Sequence, residues 1–190
     1  MRIIAGTFGG RILKTVEGPG YRPAMSRVRE SLFSMLESRG VLWQTSRVMD
    51  VFAGSGSLAF EALSRGALEA RLVEMAPQAV RCLQGNARLL GLDASRCQIV
   101  ADDAIKMLAK ACHKPYQVVF IDPPYGKNLL QPTLNNLLRR GWLAENGLVC
   151  AEIEMALAYN AEKAHEALEL LADRTFGQTR ILIWQNISTQ

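Results

Sequence analysis

The segment VMDVFAGSGSLAFEA, residues 48–62, carries the strongest indication of the fold class. Its first half is an apolar run that ends near Phe52, as a buried strand does, and a helix is predicted from about Ser57. The glycines of Gly54–Gly56 allow a sharp turn and a close approach to a ligand, and a helix start offers amide donors to an anionic group. The segment therefore predicts a strand, a ligand-binding loop and a helix in an α/β sheet.

Strand-like and helix-like patterns alternate along the rest of the chain. Strands are predicted at RVMDVF, ARLVEM, CQIV, QVVFID and LVCAEI, and helices from about Ser57, from Pro77 to near Gly91, after Asp103 and near Pro132. Such alternation specifies a parallel sheet with helices on both faces. LELLADRTF and TRILIWQ follow, separated by a short glycine-containing turn, and should pair antiparallel. We expect an α/β, Rossmann-like, mostly parallel seven-stranded sheet that ends in an antiparallel hairpin.

The front of the chain has a different pattern. Arg2–Val16 contains two short strand-like runs around a glycine-containing turn, which predicts a β-hairpin. After the irregular stretch GPGYRPA, Ser26 is expected to cap an amphipathic helix. The apolar positions that share one face of that helix are Val28, Leu32, Met35 and Leu36. We therefore expect one domain over residues 1–190, of which 1–46 is an N-terminal hairpin and helix extension.

Composition excludes several classes of protein. A chain of 190 residues that is 49% hydrophobic is long enough to bury a core without disulfides. The cysteines are scattered singly and the two histidines are far apart, so neither a zinc site nor a disulfide framework is expected and no metal is predicted. No signal-peptide core or membrane-length apolar run is present, so we expect a cytoplasmic protein with no membrane partner.

Positive charge is concentrated in the first quarter of the chain. Residues 1–47 hold eight basic and three acidic residues, a net charge of +5, whereas the remainder carries −1. A basic segment joined to a nearly neutral body suits an enzyme that holds a nucleic-acid backbone with one part and does chemistry with another. A solvated surface that is basic by chance is the alternative.

The glycine loop alone leaves the cofactor open. Gly54, Gly56 and Ala59 fit the G-x-G-x-x-A pattern, and Glu74 ends the next strand, where an acid binds ribose hydroxyls. A nicotinamide or flavin enzyme is therefore a serious alternative at this point. Asp50 lies inside an apolar strand and needs a compensating partner, which could be the amino group of S-adenosylmethionine or a structural salt bridge.

A second site follows the fourth strand, in QVVFIDPPYG. The consecutive prolines stiffen the backbone after Asp122, at the sheet edge where open α/β proteins bind ligands. The Asp122 carboxylate and the Pro123 carbonyl could accept both hydrogens of an exocyclic amino group on a nucleobase, which would direct the nitrogen lone pair toward a methyl donor. Pro124 fixes this corner and Tyr125 could stack on the base. The pattern favours amino methylation over an ordinary proline-rich turn.

A further acid follows the third strand. Asp103, which precedes Ala104, could accept a hydrogen bond from the amino group of a cofactor adenine. Its neighbour Asp102 makes the assignment ambiguous, and either residue could instead cap the next helix.

Together, D50-VFAGSG, E74, D103-A and D122-PPY resemble the class I, Rossmann-like amino-methyltransferases. The N-terminal sequences MRIIAGTFGGRILKTV and YRPAMSRVRESLFSML are similar to the RsmD family of bacterial 16S ribosomal RNA guanine-N2 methyltransferases, and the order of segments matches over essentially the whole chain. The resemblance implies S-adenosylmethionine as cofactor, S-adenosylhomocysteine as product and transfer to guanine N2, with guanine 966 as the expected target. It implies 16S ribosomal RNA within the small subunit as the partner, and we expect a monomer.

The resemblance and the residue patterns give three sets of expected site residues. The cofactor pocket would be formed by Asp50, Phe52, Ala53, Gly54, Ser55, Gly56, Glu74, Asp103 and Ala104. The target base would meet the catalytic set Asp122, Pro123, Pro124 and Tyr125. RNA phosphates would be contacted by Arg11, Lys14, Arg22, Arg27 and Arg29.

Three other functions remain open on the sequence. A DNA adenine or cytosine amino-methyltransferase would use the same motif, although the chain is short for a separate target-recognition domain. A nicotinamide-dependent oxidoreductase explains the glycines and Glu74 but gives no role to Asp-Pro-Pro-Tyr. A noncatalytic RNA-binding module would bind RNA without any cofactor-dependent transfer.

Overall fold

A computed structural model of the chain describes residues 1–16 and 26–188. The strands in these ranges form one seven-stranded sheet in the order β3-β2-β1-β4-β5-β7-β6. The strands are β1 (Arg47–Val51), β2 (Glu69–Val73), β3 (Cys97–Val100), β4 (Tyr116–Ile121), β5 (Leu143–Glu154), β6 (Leu168–Phe176) and β7 (Thr179–Asn186).

Strands β1 to β5 run parallel, and β7 is antiparallel to both β5 and β6. This confirms the predicted parallel sheet that ends in a hairpin. The strand order reverses between β1 and β4, and the loops after these two strands diverge there. Ligands of open α/β sheets bind at such a reversal, outside the carboxyl ends of the strands.

The helices begin and end close to the predicted positions. Those in the described ranges are α1 (Ser26–Glu37), α2 (Ser57–Ser64), α3 (Pro77–Leu90), α4 (Ala104–Leu108) and α5 (Leu130–Arg139). Gly91 ends α3 with a φ of 69°, and the Asp103 side chain caps α4. Ser26 is the first residue of α1 rather than its cap, and residue 25 lies outside the described residues. None of these helices is long and apolar enough to cross a bilayer.

The sheet is covered on both faces. Phe33 and Leu83, from α1 and α3, belong to one buried apolar cluster, and Leu134 of α5 belongs to another. Successive residues of β1 alternate between them, with Val48 in the first cluster and Met49 in the second. The strand is apolar on both sides because helices cover both faces of the sheet.

The N-terminal hairpin is smaller than predicted. Its two segments meet in a single antiparallel bridge between Arg2 and Ile12, and residues 1–16 contain no extended strand. Backbone hydrogen bonds join Ile3 N to Arg11 O at 3.0 Å and Leu13 N to Met1 O at 2.7 Å. The expectation of two strands is therefore wrong, although the segments do fold back on each other.

The hairpin is held by α2 instead of by a longer ladder. The amides of Ile4 and Ala5 donate to the buried carboxylate of Glu61, at 2.8 and 3.1 Å. Gly6 has a φ of +82°, and a Cβ at this position would lie 1.9 Å from the carbonyl oxygen of Ser64. Only glycine fits this approach, so the first segment packs directly on the helix backbone.

Candidate active site

A cavity of about 630 Å³ opens at the carboxyl ends of the parallel strands, within the usual size range of small-molecule sites. Most of the predicted cofactor and base residues line it. These are Phe52, Ala53, Gly54, Ser55, Glu74, Asp103, Ala104, Asp122, Pro123, Pro124 and Tyr125. Asp50 and Gly56 do not line the cavity. They contact residues of α2 instead. The loops after β1, β2, β3 and β4 therefore meet in one space.

The glycine loop has the backbone that its sequence predicts. Gly54 and Gly56 have positive φ angles of 55° and 80°, and Phe52 reaches 67° without being glycine. A Cβ on Gly56 would lie 2.4 Å from the Phe60 ring, so this glycine is required for packing of the loop on α2. Positive φ at a bulky residue such as Phe52 is uncommon and marks a tightly determined turn.

Glu74 joins the first two loops. Its Oε2 accepts a hydrogen bond from the Gly54 amide at 2.9 Å, and its Oε1 accepts one from the Ala76 amide at 2.8 Å. The side chain is nearly buried but still borders the cavity. Because each carboxylate oxygen has two lone pairs, both oxygens keep acceptor capacity toward a ligand.

Asp50 supports the loop from below. It is 2% exposed, and its Oδ2 accepts a hydrogen bond from the Ala59 amide in the first turn of α2 at 3.1 Å. Burial, together with the nearby charge of Glu74, raises the pKa of Asp50 to about 8. Its contact with a ligand stays a prediction, since the side chain does not border the cavity.

Asp102 and Asp103, the two acids that follow β3, both line the cavity. The structure therefore does not choose between them by position. The Oδ1 of Asp103 accepts from the Lys106 amide at 2.9 Å and caps α4, as the alternative interpretation expected. The Oδ1 of Asp102 accepts from the Asp103 amide at 2.8 Å, and its other oxygen lies 3.8 Å from Lys110 Nζ. A helix cap and a ligand-facing role are compatible for Asp103.

The Asp-Pro-Pro-Tyr turn begins one residue after β4. The Asp122 amide donates to Val51 O at 3.4 Å, which ties this turn to the end of β1. Burial, followed by the negative charges of Glu152 and Asp50, raises the pKa of the Asp122 carboxyl well above its usual value. Tyr125 is 37% exposed at the rim. The turn thus presents to the cavity a carboxyl group that is harder to ionise than one in water.

Glu152 is the principal residue that sequence reasoning missed. It lies near the end of β5, lines the same cavity, and its Oε1 accepts a hydrogen bond from Thr179 Oγ1 at 3.4 Å. Burial raises the pKa of its carboxyl. The available signal was an acid inside the otherwise apolar run LVCAEI, the same kind of signal that singled out Asp50.

The N-terminal segment also reaches the cavity. Met1 and Val16 line it, and the Val16 amide donates to Ser55 Oγ at 2.9 Å. Asn86 of α3 accepts from the Lys14 amide at 2.9 Å and donates to Ser55 O at 3.2 Å. The chain that leads into residues 17–25 is therefore tied to the glycine loop.

The predicted RNA contacts fall into three groups. Arg11, Lys14 and Arg27 are exposed, and Arg22 lies outside the described residues. Arg29 corrects the prediction, because its side chain is 1% exposed. Its Nη2 donates to Arg2 O at 2.5 Å, and its Nε lies 4.0 Å from the buried Glu61 carboxylate. Arg29 faces the core of the extension and cannot contact RNA phosphate at the surface.

A sheet of order β3-β2-β1-β4-β5-β7-β6 with an antiparallel β7 is the class I methyltransferase fold, and the cavity lies at the ligand-binding edge of that fold. A family model described as Conserved hypothetical protein 95 matches residues 1–185. The chain therefore belongs to this family, the RsmD family of methyltransferases.

Individual relatives agree with this assignment. The chain is 37% identical to Ribosomal RNA small subunit methyltransferase D of Escherichia coli (strain K12), over 97% of this chain and 89% of that protein. It is 33% identical to the protein of the same name from Haemophilus influenzae, over 98% and 94%. The solved structure of the Escherichia coli protein yhhF matches with a TM-score of 0.84 at 34% identity, over 100% and 99% of the two chains.

Family membership confirms the resemblance inferred from the sequence. The glycine loop and Glu74, which also suited a nicotinamide-dependent oxidoreductase, belong here to a methyltransferase. The Asp-Pro-Pro-Tyr turn, which the oxidoreductase alternative left without a role, lies in the same cavity as these residues.

Proposed function

We propose that the protein transfers a methyl group from S-adenosylmethionine to the exocyclic N2 of a guanine in 16S ribosomal RNA, with guanine 966 of the small subunit as the target. The observation that carries the proposal is that Asp122–Tyr125 line the same cavity as Gly54 and Glu74. The Asp-Pro-Pro-Tyr turn, which suits an amino group, and the glycine loop with Glu74, which suits a nucleoside cofactor, thus border the same cavity. The names of the E. coli and H. influenzae relatives support ribosomal RNA as the substrate class.

The residues around the cavity fit S-adenosylmethionine. The start of α2, just after Gly56, offers amide donors to the methionyl carboxylate, and Glu74 keeps lone pairs for the ribose hydroxyls. Met75 is 67% exposed beside the cavity and suits the adenine ring, while Asp103 suits its amino group. When bound, the cofactor supplies an electrophilic methyl group on a sulfonium centre.

The Asp-Pro-Pro-Tyr turn would act on the amino group. The amino nitrogen of guanine is a poor nucleophile because its lone pair is delocalised into the ring. The Asp122 carboxylate and the Pro123 carbonyl accept hydrogen bonds from its two N–H groups, which orients the lone pair and raises its availability, and the carboxylate takes the proton that the nitrogen loses on methylation. Tyr125 holds the base by stacking, a contact worth about 1–3 kcal/mol. Positioning therefore supplies most of what the protein contributes to the rate.

Substrate entry would favour the ionised form of Asp122. Burial and the negative charge of Glu152 raise the pKa of the Asp122 carboxyl, so the empty site stabilises the ionised form less than water does. N–H donors that replace water beside the carboxyl favour the ionised form and lower this pKa. The ionised form of Asp122, which accepts hydrogen bonds, is therefore more stable when the edge of a base lies beside it.

The N-terminal extension, residues 1–46, would hold the RNA backbone. Arg11 and Lys14 present exposed positive charge on the segment that is joined to the glycine loop through Ser55 and Asn86, and Arg27 is exposed on α1. Phosphate binding there is independent of sequence and sensitive to salt. RNA binding and cofactor binding would therefore be coupled through these hydrogen bonds.

The test separates binding from turnover at Asp122. Purified Asp122→Ala is compared with wild type and with the matched control Asp93→Ala, an exposed acid outside the cavity. Calorimetry with S-adenosylmethionine should give affinities within about threefold for all three proteins, whereas methyl transfer to unmethylated small subunits should fall by about 10² or more only in Asp122→Ala. Unchanged turnover in Asp122→Ala would overturn the role of this corner.

A further inference from the structure

Besides the cofactor cavity, a pocket of about 290 Å³ lies on the opposite edge of the sheet, and it holds none of the site residues. Inside the larger cavity, in contrast, Glu152 is a carboxyl group that no step of the proposed transfer uses. We propose that Glu152 selects guanine by accepting a hydrogen bond from the N1–H of the target base beside the amino group held by Asp122. This inference rests on the proposed function and assigns the base specificity of the same site.

The sheet register brings the two carboxyl groups to one edge. Strands β4 and β5 pair in parallel with Phe120 opposite Cys150 and Ile121 opposite Ala151. One residue further along, this register sets Asp122 beside Glu152, and both side chains line the cavity. The negative charge of Glu152 is the second cause, after burial, of the raised Asp122 pKa, which places the two groups within electrostatic reach.

Glu152 has little internal compensation for its burial. Among the described residues it forms no ion pair, and its one hydrogen bond is the 3.4 Å contact from Thr179 Oγ1, long for an O–H donor. Other acids of the cavity differ, since Glu74 accepts two backbone amides and Asp103 caps a helix. A half-buried carboxyl with unfilled acceptor sites that faces a cavity is suited to receive N–H donors from a ligand.

The chemistry of the bases decides which ligand fits. The Watson–Crick edge of guanine presents the N1–H donor directly beside its N2 amino donor. Adenine and cytosine present an unprotonated ring nitrogen, an acceptor, beside their amino groups. Two adjacent carboxylate acceptors therefore match guanine, while the lone pairs of Glu152 would oppose the ring nitrogen of either other base. The pair Asp122 and Glu152 thus distinguishes guanine from the substrates of other amino-methyltransferases with an Asp-Pro-Pro-Tyr turn.

The probe is 2-aminopurine, which keeps the amino group at position 2 but has an unprotonated N1. Small subunits reconstituted with guanine or with 2-aminopurine at the target position are methylated by wild type, by Glu152→Gln and by Glu154→Gln. Gln can donate its amide N–H to an unprotonated N1, whereas Glu154 lies on the same strand outside the cavity and is the matched control. The measured quantity is kcat/KM for each base, with cofactor affinity and unfolding temperature determined for each protein.

For wild type and Glu154→Gln, we expect kcat/KM on guanine to exceed kcat/KM on 2-aminopurine by about 10² or more, because a site that accepts a hydrogen bond from its substrate discriminates against an analogue that lacks the donor. Glu152→Gln should reduce that preference at least tenfold, by losing rate on guanine and gaining rate on 2-aminopurine. An equal loss of kcat/KM on both bases in Glu152→Gln would overturn the inference. Equal kcat/KM of wild type on the two bases would also overturn it, and this second test does not require Glu152→Gln to fold. Absence of any methyl transfer to guanine N2 by wild type would instead contradict the proposed function itself.

Discussion

The Oε2 of Glu74 accepts a hydrogen bond from the amide of Gly54 at 2.9 Å, and this bond joins the loops that follow β1 and β2. The other carboxylate oxygen is bonded to Ala76, so one side chain sets the positions of two backbone segments that line the cavity. The acid predicted to bind ribose hydroxyls thus also shapes the glycine loop. Loss of this residue should affect the pocket in two ways.

Glu74→Ala should weaken binding of S-adenosylmethionine by about 10- to 100-fold. It leaves two partly buried amides without an acceptor, at up to about 1–3 kcal/mol each, and removes the proposed ribose contact. Calorimetry measures the affinity, with Glu169→Ala as control because Glu169 is exposed on β6. Equal affinities for the two variants would show that Glu74 does not support the pocket.

Asp50 should make stability depend on pH. Its folded pKa of about 8 lies above the ordinary value near 4, so the folded state binds the proton more tightly than the unfolded state. The stability that this proton provides is present below pH 4 and is lost as the pH rises toward 8, by at most about 1.4 kcal/mol per pH unit. Asp50→Asn keeps an acceptor for the Ala59 amide and cannot ionise. Urea unfolding should therefore show that its free energy of unfolding rises relative to that of wild type between pH 5 and pH 8. A stability difference that is the same at both pH values would contradict this.

Removing exposed charge from the extension should weaken RNA binding without changing its preference among sequences. Arg11→Ala and Lys14→Ala should each reduce the slope of log affinity against log salt by about 1, because each removes one phosphate contact. Arg174→Ala, an exposed arginine on β6, serves as the control. Salt titrations of binding to small-subunit RNA measure the slope, and slopes identical to that of wild type would assign the extension to another task.

Glu61 should be more important for stability than its buried partner Arg29. Its carboxylate accepts from the amides of Ile4 and Ala5 and from Arg65 Nε at 2.9 Å. Glu61→Ala would leave these donors and the Arg29 guanidinium uncompensated, at an expected cost of about 3–5 kcal/mol.

Arg29→Met provides the comparison for Glu61→Ala. The Nε and Nη1 of Arg29 have no hydrogen-bond partner among the described residues, so an apolar side chain of similar length costs much less. Urea unfolding gives both free energies, and hydrogen exchange at residues 4 and 5 should speed up only in Glu61→Ala. Larger destabilisation by Arg29→Met would refute this ranking.

Sequence reasoning succeeded where the signal is local. The glycine loop, Glu74 and the Asp-Pro-Pro-Tyr turn follow strands whose apolar runs are unambiguous, and a parallel sheet brings the ends of its strands to one edge. The start of α3 at Pro77 and its end at Gly91 were predicted for the same reason, since a proline and a glycine limit the backbone directly.

It failed where tertiary contacts decide. Arg29 lies on the same face of α1 as the buried Leu32 and Phe33, three and four residues later, and the buried Glu61 carboxylate near it makes a charged side chain possible at that inward position. The two predicted N-terminal strands did not form. The amides of Ile4 and Ala5 donate to Glu61 of α2, so they do not take part in a longer strand pairing. Glu152 carried a local signal, an acid in an apolar run, but its position beside Asp122 follows from the β4–β5 register and has no signal in the sequence.

Guanine N2 methylation is tested by identifying the nucleoside that the enzyme modifies. Unmethylated small subunits are incubated with labelled S-adenosylmethionine and wild-type protein, the RNA is digested, and the labelled nucleoside is identified by mass and by its position in the RNA. We predict N2-methylguanosine at a single site. Label in N6-methyladenosine or N4-methylcytidine, or no transfer at all, would contradict it.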